Sequence, residues 1–367
     1  MTAPGKRPSL ADVARAAGVS SAAASMALNE RPGIAPATRE RVREAARRLG
    51  YGRRRRATTL FGVLPTDLGN PYHTDVIAGI EATAETLGAG VVIAHGRRDT
   101  AHMERQLQRL LDLEVDGVIA VTTWLPPEAL ERAARSVPVV VIGRMQDPVP
   151  GTDAVITDDT AGAALAVRHL VAAGHRRLAH VTLSSRPGPA ARRTGFLAET
   201  ARLGLADAVT VIGPDSADEG IDLLLRALRR GAEDAPTAVF AANDIAAVRV
   251  LHRAAALGVA VPERLSVVGY DSSAVALTVR PHLTSVNQPR QEMGRIAARM
   301  LQERREGRRT DSRSIAEPVL RLRDSTGPAP ASRLASIPAR PGRDGREDGL
   351  SVTCARSVRA DLHSQVL

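Results

Sequence analysis

The chain is poor in residues on which several common kinds of protein site depend. Cys354 is the only cysteine among 367 residues, which excludes an internal disulfide and a cluster of thiolate metal ligands. Aromatic residues make up 2%, so a ligand site must rely on few rings. No stretch approaches the roughly 18 uncharged apolar residues of a membrane span, and the first residues lack the apolar run of a secretion signal. We therefore expect a cytoplasmic protein with no metal and no cofactor.

Positive charge is concentrated at one end of the chain. Residues 1–56 contain thirteen basic and four acidic residues, a net charge of +9, while the whole chain has a formal charge of +10. Residues 57–330 contain 31 basic and 32 acidic residues, so this part is almost neutral. A basic segment joined to a neutral one predicts that the first segment binds a polyanion such as duplex DNA.

The basic segment has the pattern of three short helices around a tight turn. Ser9 is placed to cap a first helix, Gly18 to form the turn, and Ser20 or Ser21 to cap a second helix. Pro36 suits the first turn of a third helix. This arrangement is typical of a helix-turn-helix DNA-binding unit.

From Leu60 onward the pattern changes to short β-branched runs separated by amphipathic stretches. The runs lie at 60–65, 91–95, 117–121, 139–142, 154–157, 178–183, 209–212, 238–242, 265–270 and 284–286. Apolar runs that alternate with helices are typical of parallel sheets covered on both faces. Because ten strands exceed one comfortable sheet, we predict an α/β body of two doubly wound parallel-sheet subdomains.

Several short motifs follow one another in a fixed order along the chain. They are Ala11-Asp12-Val13-Ala14 with Ala17-Gly18-Val19-Ser20, Asn29, Thr38-Arg39-Glu40-Arg41-Val42, Leu49-Gly50-Tyr51, Asn70-Pro71-Tyr72, Val115-Asp116-Gly117, His169-Leu170 with Gly174-His175-Arg176-Arg177, Gly195-Phe196, Asn243-Asp244, Ser266-Val267-Val268-Gly269-Tyr270-Asp271 and Leu283-Thr284-Ser285-Val286. In this order and spacing the chain resembles the lactose-repressor (LacI/GalR) family of bacterial transcription regulators over roughly residues 8–328.

The resemblance implies a homodimer in which two headpieces bind a pseudo-palindromic operator. The body would be similar to periplasmic sugar-binding proteins and would hold a small effector, a sugar, polyol or nucleoside, between its subdomains. We expect a headpiece at 1–51, an arginine-rich linker at 52–59, a body at 60–324 and, because strand-helix alternation stops there, a disordered tail at 325–367. Within the body, the expected N-subdomain comprises about 60–157 and 288–308, and the C-subdomain about 158–287 and 309–324.

The resemblance also implies which residues contact DNA. They are Ser9, Ser20, Ser21, Ala22, Ser25, Met26, Asn29, Thr38, Arg53, Arg54, Arg55 and Arg56. The second helix carries three alanines that cannot bond a base edge, so base readout is left to Ser21 and Ser25, with apolar contact of Ala22 or Met26 to thymine methyls. One interpretation is therefore a DNA reader that has decayed.

The linker departs from the family, because eight residues between Tyr51 and Leu60 leave no room for the usual hinge helix with its leucine wedge. One hypothesis is that the run Arg53–Arg56 binds phosphates or a narrow minor groove instead. The alternative is a solvated basic linker.

An effector cleft is expected where parallel strands end. The resemblance implies contacts from Asn70, Tyr72, Trp124, Arg192, Asp215, Asn243 and Asp271. Asp215 stands where relatives often have an aromatic ring, and with Asp271 it could favour a polyhydroxylated or cationic effector. We expect Asp244 to cap a helix.

Other classes of protein are less consistent with the sequence. The body has no phosphate-binding glycine motif and no metal-spaced histidine pair, as many enzymes would. His169, His175 and His180 lie in a matched segment and are expected to be structural. A transport solute-binding protein would need a signal peptide or a lipid-anchor cysteine.

Overall fold

The structure, a computed structural model, describes residues 8–29, 31–49 and 58–330. The predicted arginine run at positions 53–56 lies outside these described residues, as do residues 331–367 of the predicted tail.

The headpiece consists of helices α1 (Leu10–Ala17), α2 (Ser21–Leu28) and α3 (Pro36–Leu49). Helix α1 begins at Leu10 because the Ser9 hydroxyl accepts the backbone N–H of Asp12, while the Asp12 carboxylate accepts the N–H of Ser9. Gly18 ends α1 with a φ of 65°, a left-handed conformation that favours glycine. The predictions for Ser9, Gly18 and Pro36 are confirmed.

The first subdomain of the body contains one six-stranded sheet in the order β11-β5-β4-β3-β1-β2. Its strands are β1 (Thr59–Pro65), β2 (Ala89–Ile93), β3 (Gly117–Val121), β4 (Val139–Ile142), β5 (Asp153–Thr157) and β11 (Arg313–Ala316). All its pairings are parallel. Helices α4 (Pro71–Thr86), α5 (Thr100–Asp112), α6 (Pro127–Ala134) and α12 (Arg290–Glu306) cover its faces.

The second subdomain contains a sheet in the order β12-β10-β9-β8-β6-β7. Its strands are β6 (Leu178–Val181), β7 (Val209–Ile212), β8 (Ala238–Ala241), β9 (Ser266–Asp271), β10 (Thr284–Asn287) and β12 (Val319–Arg321). Its helices are α7 (Asp159–Ala172), α8 (Pro187–Arg202), α9 (Ala217–Arg230), α10 (Asp244–Ala256) and α11 (Val275–Thr278). The pairings are parallel except that β12 runs antiparallel to β10. Two doubly wound sheets are therefore confirmed, and the ten predicted strands are all present.

Helices α4 and α12 cross at unusually close range in the first subdomain. A Cβ atom added to Gly79 would overlap the carbonyl of Gln291, and one added to Gly294 would overlap the carbonyl of Val76. Only glycine permits the two helix backbones to approach in this way. Among the described residues, no helix combines the length and the hydrophobicity needed to span a bilayer.

The assignment of residues 309–324 to the C-subdomain was wrong in part. Strand β11 pairs with β5 in the first sheet, with Arg313 opposite Ala154, and only β12 belongs to the second sheet. The chain therefore crosses between the subdomains a third time, between β11 and β12. These short edge strands carry exposed side chains, so hydrophobic periodicity gave no sign of them.

The predicted boundary of the disordered tail was also wrong for residues 325–330. Ser325 is fully buried, and its carbonyl accepts the backbone N–H of Val267 at 2.8 Å. Farther on, the N–H of Ala329 donates to the carbonyl of Ala173 at 2.8 Å. Hydrogen bonds to the second subdomain therefore order a segment whose composition alone indicates disorder.

Candidate functional site

Helix α2 exposes a small polar and apolar surface. Ser21 and Ala22 are exposed, and Ser25 and Met26 are half-buried. The methyl carbon of Met26 lies 3.7 Å from the position that a Cβ on Gly33 would take, so Met26 is directed toward the turn after α2. The exposed face therefore offers few hydrogen-bonding groups.

Two of the alanines in α2 have a packing role. Ala24 and Ala27 are fully buried against Val13 and Val42 in the headpiece core. Their small side chains let α2 lie close to the other two helices, so they cannot be counted as lost base-reading residues.

Three other predicted DNA-contacting residues, Ser9, Ser20 and Asn29, form hydrogen bonds within the headpiece. Besides Ser9, the Ser20 hydroxyl caps α2 by accepting the N–H of Ala23 at 3.1 Å. The Asn29 amide donates to the carbonyl of Ser25 at 2.9 Å. Thr38 is half-buried in the first turn of α3.

The second candidate region is the cleft at the carboxyl ends of the strands, and its centre is Arg192 on α8. Its Nε donates to Asp159 Oδ1 at 2.9 Å, and its Nη1 donates to the carbonyl of Ala242 at 2.6 Å. Nη1 also lies 3.7 Å from Asp271 Oδ1. The guanidinium carbon stacks 3.7 Å from the centre of the Tyr270 ring. These contacts fix the orientation of a buried cation.

Asp159, which sequence reasoning missed, links the two subdomains. It is 3% exposed and accepts Nε of Arg144 at 2.9 Å on Oδ2, while Oδ1 accepts Arg192. Arg144 follows β4 of the first subdomain, whereas Arg192 belongs to the second. A buried carboxylate is tolerated here because two guanidinium groups compensate its charge. The Asp158-Asp159 pair after a predicted strand was the available signal.

Asp271 lies at the end of β9 with a φ of 104°, in the left-handed region. Its Oδ1 accepts Nε2 of Gln288 at 2.7 Å, and the amide oxygen of Gln288 accepts the hydroxyl of Thr157 at 2.6 Å. Burial raises the pKa of Asp271 to about 7, although the neighbouring Arg192 acts in the opposite direction. Gln288, also missed by the sequence analysis, therefore ties Asp271 to two segments that cross between the subdomains.

Three more predicted contacts lie in the same region. Asn70 caps α4 by accepting the N–H of Tyr72 at 3.1 Å, and Asn243 caps α10 by accepting the N–H of Ala246 at 2.8 Å. Burial, followed by the charge of Asp271, raises the pKa of Tyr72. The capping amides keep their Nδ2 donors, which take part in no hydrogen bond among the described residues.

Trp124 follows β3 of the first subdomain, at the carboxyl end of that strand. The guanidinium carbon of Arg186, from the second subdomain, lies 3.9 Å above the centre of the Trp124 ring.

Asp215 does not belong to the group of residues around Arg192. It is exposed after the edge strand β7 and forms no hydrogen bond or ion pair within the described residues.

Asp244 does not cap α10, contrary to the expectation, because Asn243 is the capping residue. The Asp244 carboxylate is 1% exposed and accepts the hydroxyl of Ser285 at 2.6 Å and the backbone N–H of Ser273 at 2.7 Å. It therefore fastens β10 and the loop after β9 to the start of α10.

The three histidines take scaffold positions. His175 contacts the hydroxyls of Thr237 at 2.9 Å and Ser266 at 3.0 Å, and His169 contacts Thr326 at 3.0 Å. The ring of His180 is buried, so its pKa falls to about 4 and it stays neutral.

The cleft retains unused polar atoms beside this internal network. Arg192 Nη2, Asn243 Nδ2, Asp271 Oδ2 and the Tyr72 hydroxyl take part in no hydrogen bond among the described residues. These four atoms are not fully buried, so solvent or a ligand can reach them. Donors and acceptors of this kind can bind vicinal hydroxyl groups.

Comparisons with known families agree with this division. Residues 9–53 match the family described as bacterial regulatory proteins, lacI family. Residues 167–326 match a periplasmic binding protein-like domain.

Curated relatives extend over nearly the whole chain. Catabolite control protein A of Priestia megaterium is 30% identical over 327 residues, which span 86% of this chain and 98% of that protein. The transcriptional repressor CytR of Escherichia coli K12 is 31% identical over 343 residues, covering 87% of this chain and 96% of that protein.

Solved structures show the same architecture. The regulator CelR in complex with cellobiose has a TM-score of 0.61 at 31% identity and covers 87% of this chain and 100% of its own. The lac repressor dimer bound to operator and the anti-inducer ONPF has a TM-score of 0.64 at 27% identity, covering 88% of this chain and 100% of its own.

Proposed function

Since the chain belongs to the lacI family of bacterial regulatory proteins, we propose that it is a homodimeric transcriptional repressor controlled by a small effector. Its headpieces bind operator DNA, and its body binds a sugar, polyol or nucleoside between the subdomains. The proposal agrees with the operator-bound lac repressor dimer and with the cellobiose complex of CelR.

The observation that carries the effector assignment is the set of unused polar atoms around Arg192. Asp271 and Asn243 offer an acceptor and a donor beside the Nη2 group of Arg192, and the internal network holds these side chains in place. A prepared group of this kind lowers the ordering cost of ligand binding.

Binding of effector acts on DNA affinity only if the effector prefers one arrangement of the subdomains. Asp159 and Gln288 connect the cleft to both subdomains, because each forms hydrogen bonds with one residue of the first subdomain and one of the second. An effector that bonds Arg192 or Asp271 therefore acts on the groups that fix this arrangement.

For the DNA side, we propose that Ser21 and Ser25 bond base edges while Ala22 contacts thymine methyls. So few base contacts leave phosphate binding as the main source of affinity, and we assign that role to Arg53–Arg56.

A decayed DNA reader is not favoured, because Ala24 and Ala27 are packing residues and the relatives that match both parts of the chain are repressors. These relatives also give no support to an enzymatic role.

The test uses full-length protein and a labelled duplex from the region upstream of its own gene, followed by fluorescence anisotropy. Saturable binding that exceeds binding to a scrambled duplex supports the proposal, and absence of binding at low salt contradicts it. A thermal-shift screen of sugars, polyols and nucleosides then identifies effectors, since a ligand at 100 times its Kd stabilises the protein by about 2.7 kcal/mol.

A matched variant links the two activities. Asp271→Asn is expected to weaken the response to such a ligand by about tenfold or more, while operator binding without ligand persists. Asp215→Asn, an exposed carboxylate outside the group, should respond as the unaltered protein does.

A further inference from the structure

Three arginines of the cleft have carboxylate partners. Nε of Arg144 and Nε of Arg192 each lie 2.9 Å from an oxygen of Asp159. Nε of Arg290 lies 2.9 Å from Asp75 Oδ2. The positive charge of each of these groups is therefore compensated by a neighbouring acid.

Arg186 differs from them. Its guanidinium stacks on Trp124 and forms no ion pair or hydrogen bond with any described residue. It is half-buried where the second subdomain faces the first. A cation over an aromatic face gains electrostatic attraction, but the ring carries no net charge. The charge of Arg186 is therefore available to a ligand.

Arg192, farther along α8, offers a second donor. Its Nη2 takes part in no hydrogen bond, and the position of a Cβ added to Gly188 lies 4.0 Å from this atom. Side chains of a helix lean toward its N-terminal end, so the Arg192 side chain is directed toward the turn where Arg186 stands. Glycine at position 188 leaves space beside Nη2.

Arg186 is the cleft arginine that forms no ion pair with a described carboxylate. The other arginines of this region are Arg144, Arg192 and Arg290, and its carboxylates are Asp75, Asp159, Asp244 and Asp271. Asp215 adds nothing, since it is exposed and unpaired. Without Asp215, the suggestion of a cationic effector depends on Asp271 alone.

We propose that the effector carries an anionic group, a phosphate monoester or a carboxylate, which binds between Arg186 and Nη2 of Arg192 beside the Trp124 ring. This inference rests on the proposed function, because it takes the cleft as the effector site. Hydroxyl groups of the same ligand bond Asp271 and Asn243. Guanidinium groups suit both anions, since their N–H donors match paired oxygens.

Trp124 provides the measurement, because it is the only tryptophan of the chain. Full-length protein is titrated with sodium phosphate and, separately, with sodium acetate at constant ionic strength set by sodium chloride. Tryptophan emission and calorimetric heat are recorded together. A saturable response to phosphate assigns a phosphate group, and one to acetate assigns a carboxylate.

Arg186→Gln should weaken that binding by at least about tenfold. Arg230→Gln, which removes an exposed arginine on α9, is the matched control and should bind as the unaltered protein does. The proposal is overturned if neither anion gives a saturable response, or if Arg186→Gln binds the anion unchanged.

Operator binding on the same preparations separates the two conclusions. Operator binding without an anion response removes this inference and leaves the repressor assignment intact. An anion response without operator binding supports the anion site and contradicts the repressor assignment.

Discussion

Asp159 accepts Nε of Arg192 at 2.9 Å while its other oxygen accepts Nε of Arg144 at the same distance. One carboxylate thus joins an arginine from each subdomain in a buried position. Removing one partner of such a buried group is strongly destabilising, because the remaining charges lose their compensation.

Asp159→Asn is expected to lower the free energy of unfolding by about 3–5 kcal/mol, since it leaves two arginines of the cleft without their common carboxylate. Urea unfolding of the full chain at neutral pH measures this change. Asp218→Asn is the control, because Asp218 also faces two arginines, Arg249 and Arg253, but is 59% exposed. It should cost at most about 1 kcal/mol. Equal losses in the two variants would contradict the role of Asp159.

Much of the fold was predictable from sequence because the strands are buried on both faces. Runs such as Val139–Ile142 are apolar throughout and lie between amphipathic helices, which leaves little choice of fold. Strands β11 and β12 were missed for the opposite reason. Their side chains are largely exposed at sheet edges, so their pairing depends on the chain returning to β5 and β10.

The candidate site divides along similar lines. Asn243 and Asp271 could be named because they stand at strand ends in matched motifs, and Arg192 because it lies three residues before the matched Gly195-Phe196. Asp159 could not, since its role depends on two arginines that come from separate helices and loops. In the same way, the pairing of Arg186 with Trp124 exists only once the two subdomains face each other.

Ser325→Ala tests the new boundary of the body. The Ser325 hydroxyl accepts the N–H of Thr284 at 2.8 Å and donates to the carbonyl of Val267 at 2.6 Å, both in buried surroundings. Losing the hydroxyl leaves a buried N–H without a partner, which should cost about 1–3 kcal/mol in the free energy of unfolding.

Chemical unfolding compares this variant with Ser312→Ala, whose exposed residue bonds Asp153 through its backbone N–H and not its hydroxyl. The control should change stability by less than about 0.5 kcal/mol. If both variants unfold alike, residues 325–330 do not belong to the folded body.

His180 predicts a loss of stability in mild acid. Its folded pKa is lowered to about 4 from 6.5, because the ring is buried between Phe196 and Phe240. As pH falls below 6.5, the unfolded chain takes up a proton that the native ring refuses. The contribution is therefore complete above pH 6.5 and is lost as pH falls toward 4, by about 3 kcal/mol in total.

His180→Phe should reduce the slope of unfolding free energy against pH in that interval by about 1.4 kcal/mol per pH unit, the effect of one proton. Urea unfolding at a series of pH values measures the slope. His252→Asn, at an exposed position, should leave it unchanged. An unchanged slope in His180→Phe would show that the ring is protonated in the folded protein.

The arginines at positions 53–56 predict a strong effect of salt on operator binding. Each phosphate contact contributes a slope of about −0.9 to the logarithm of the binding constant against the logarithm of salt concentration. Replacing all four arginines by serine should therefore flatten the slope by up to about 7 in a dimer that makes eight such contacts.

Anisotropy titrations at several salt concentrations measure the slope, with Arg229→Ser/Arg230→Ser on α9 as the control for a general loss of positive charge. The control should retain the original slope, because its arginines belong to a body with little net charge. A slope that survives the fourfold replacement would identify residues 53–56 as a solvated linker, and the phosphate contacts would then have to come from the three helices of the headpiece.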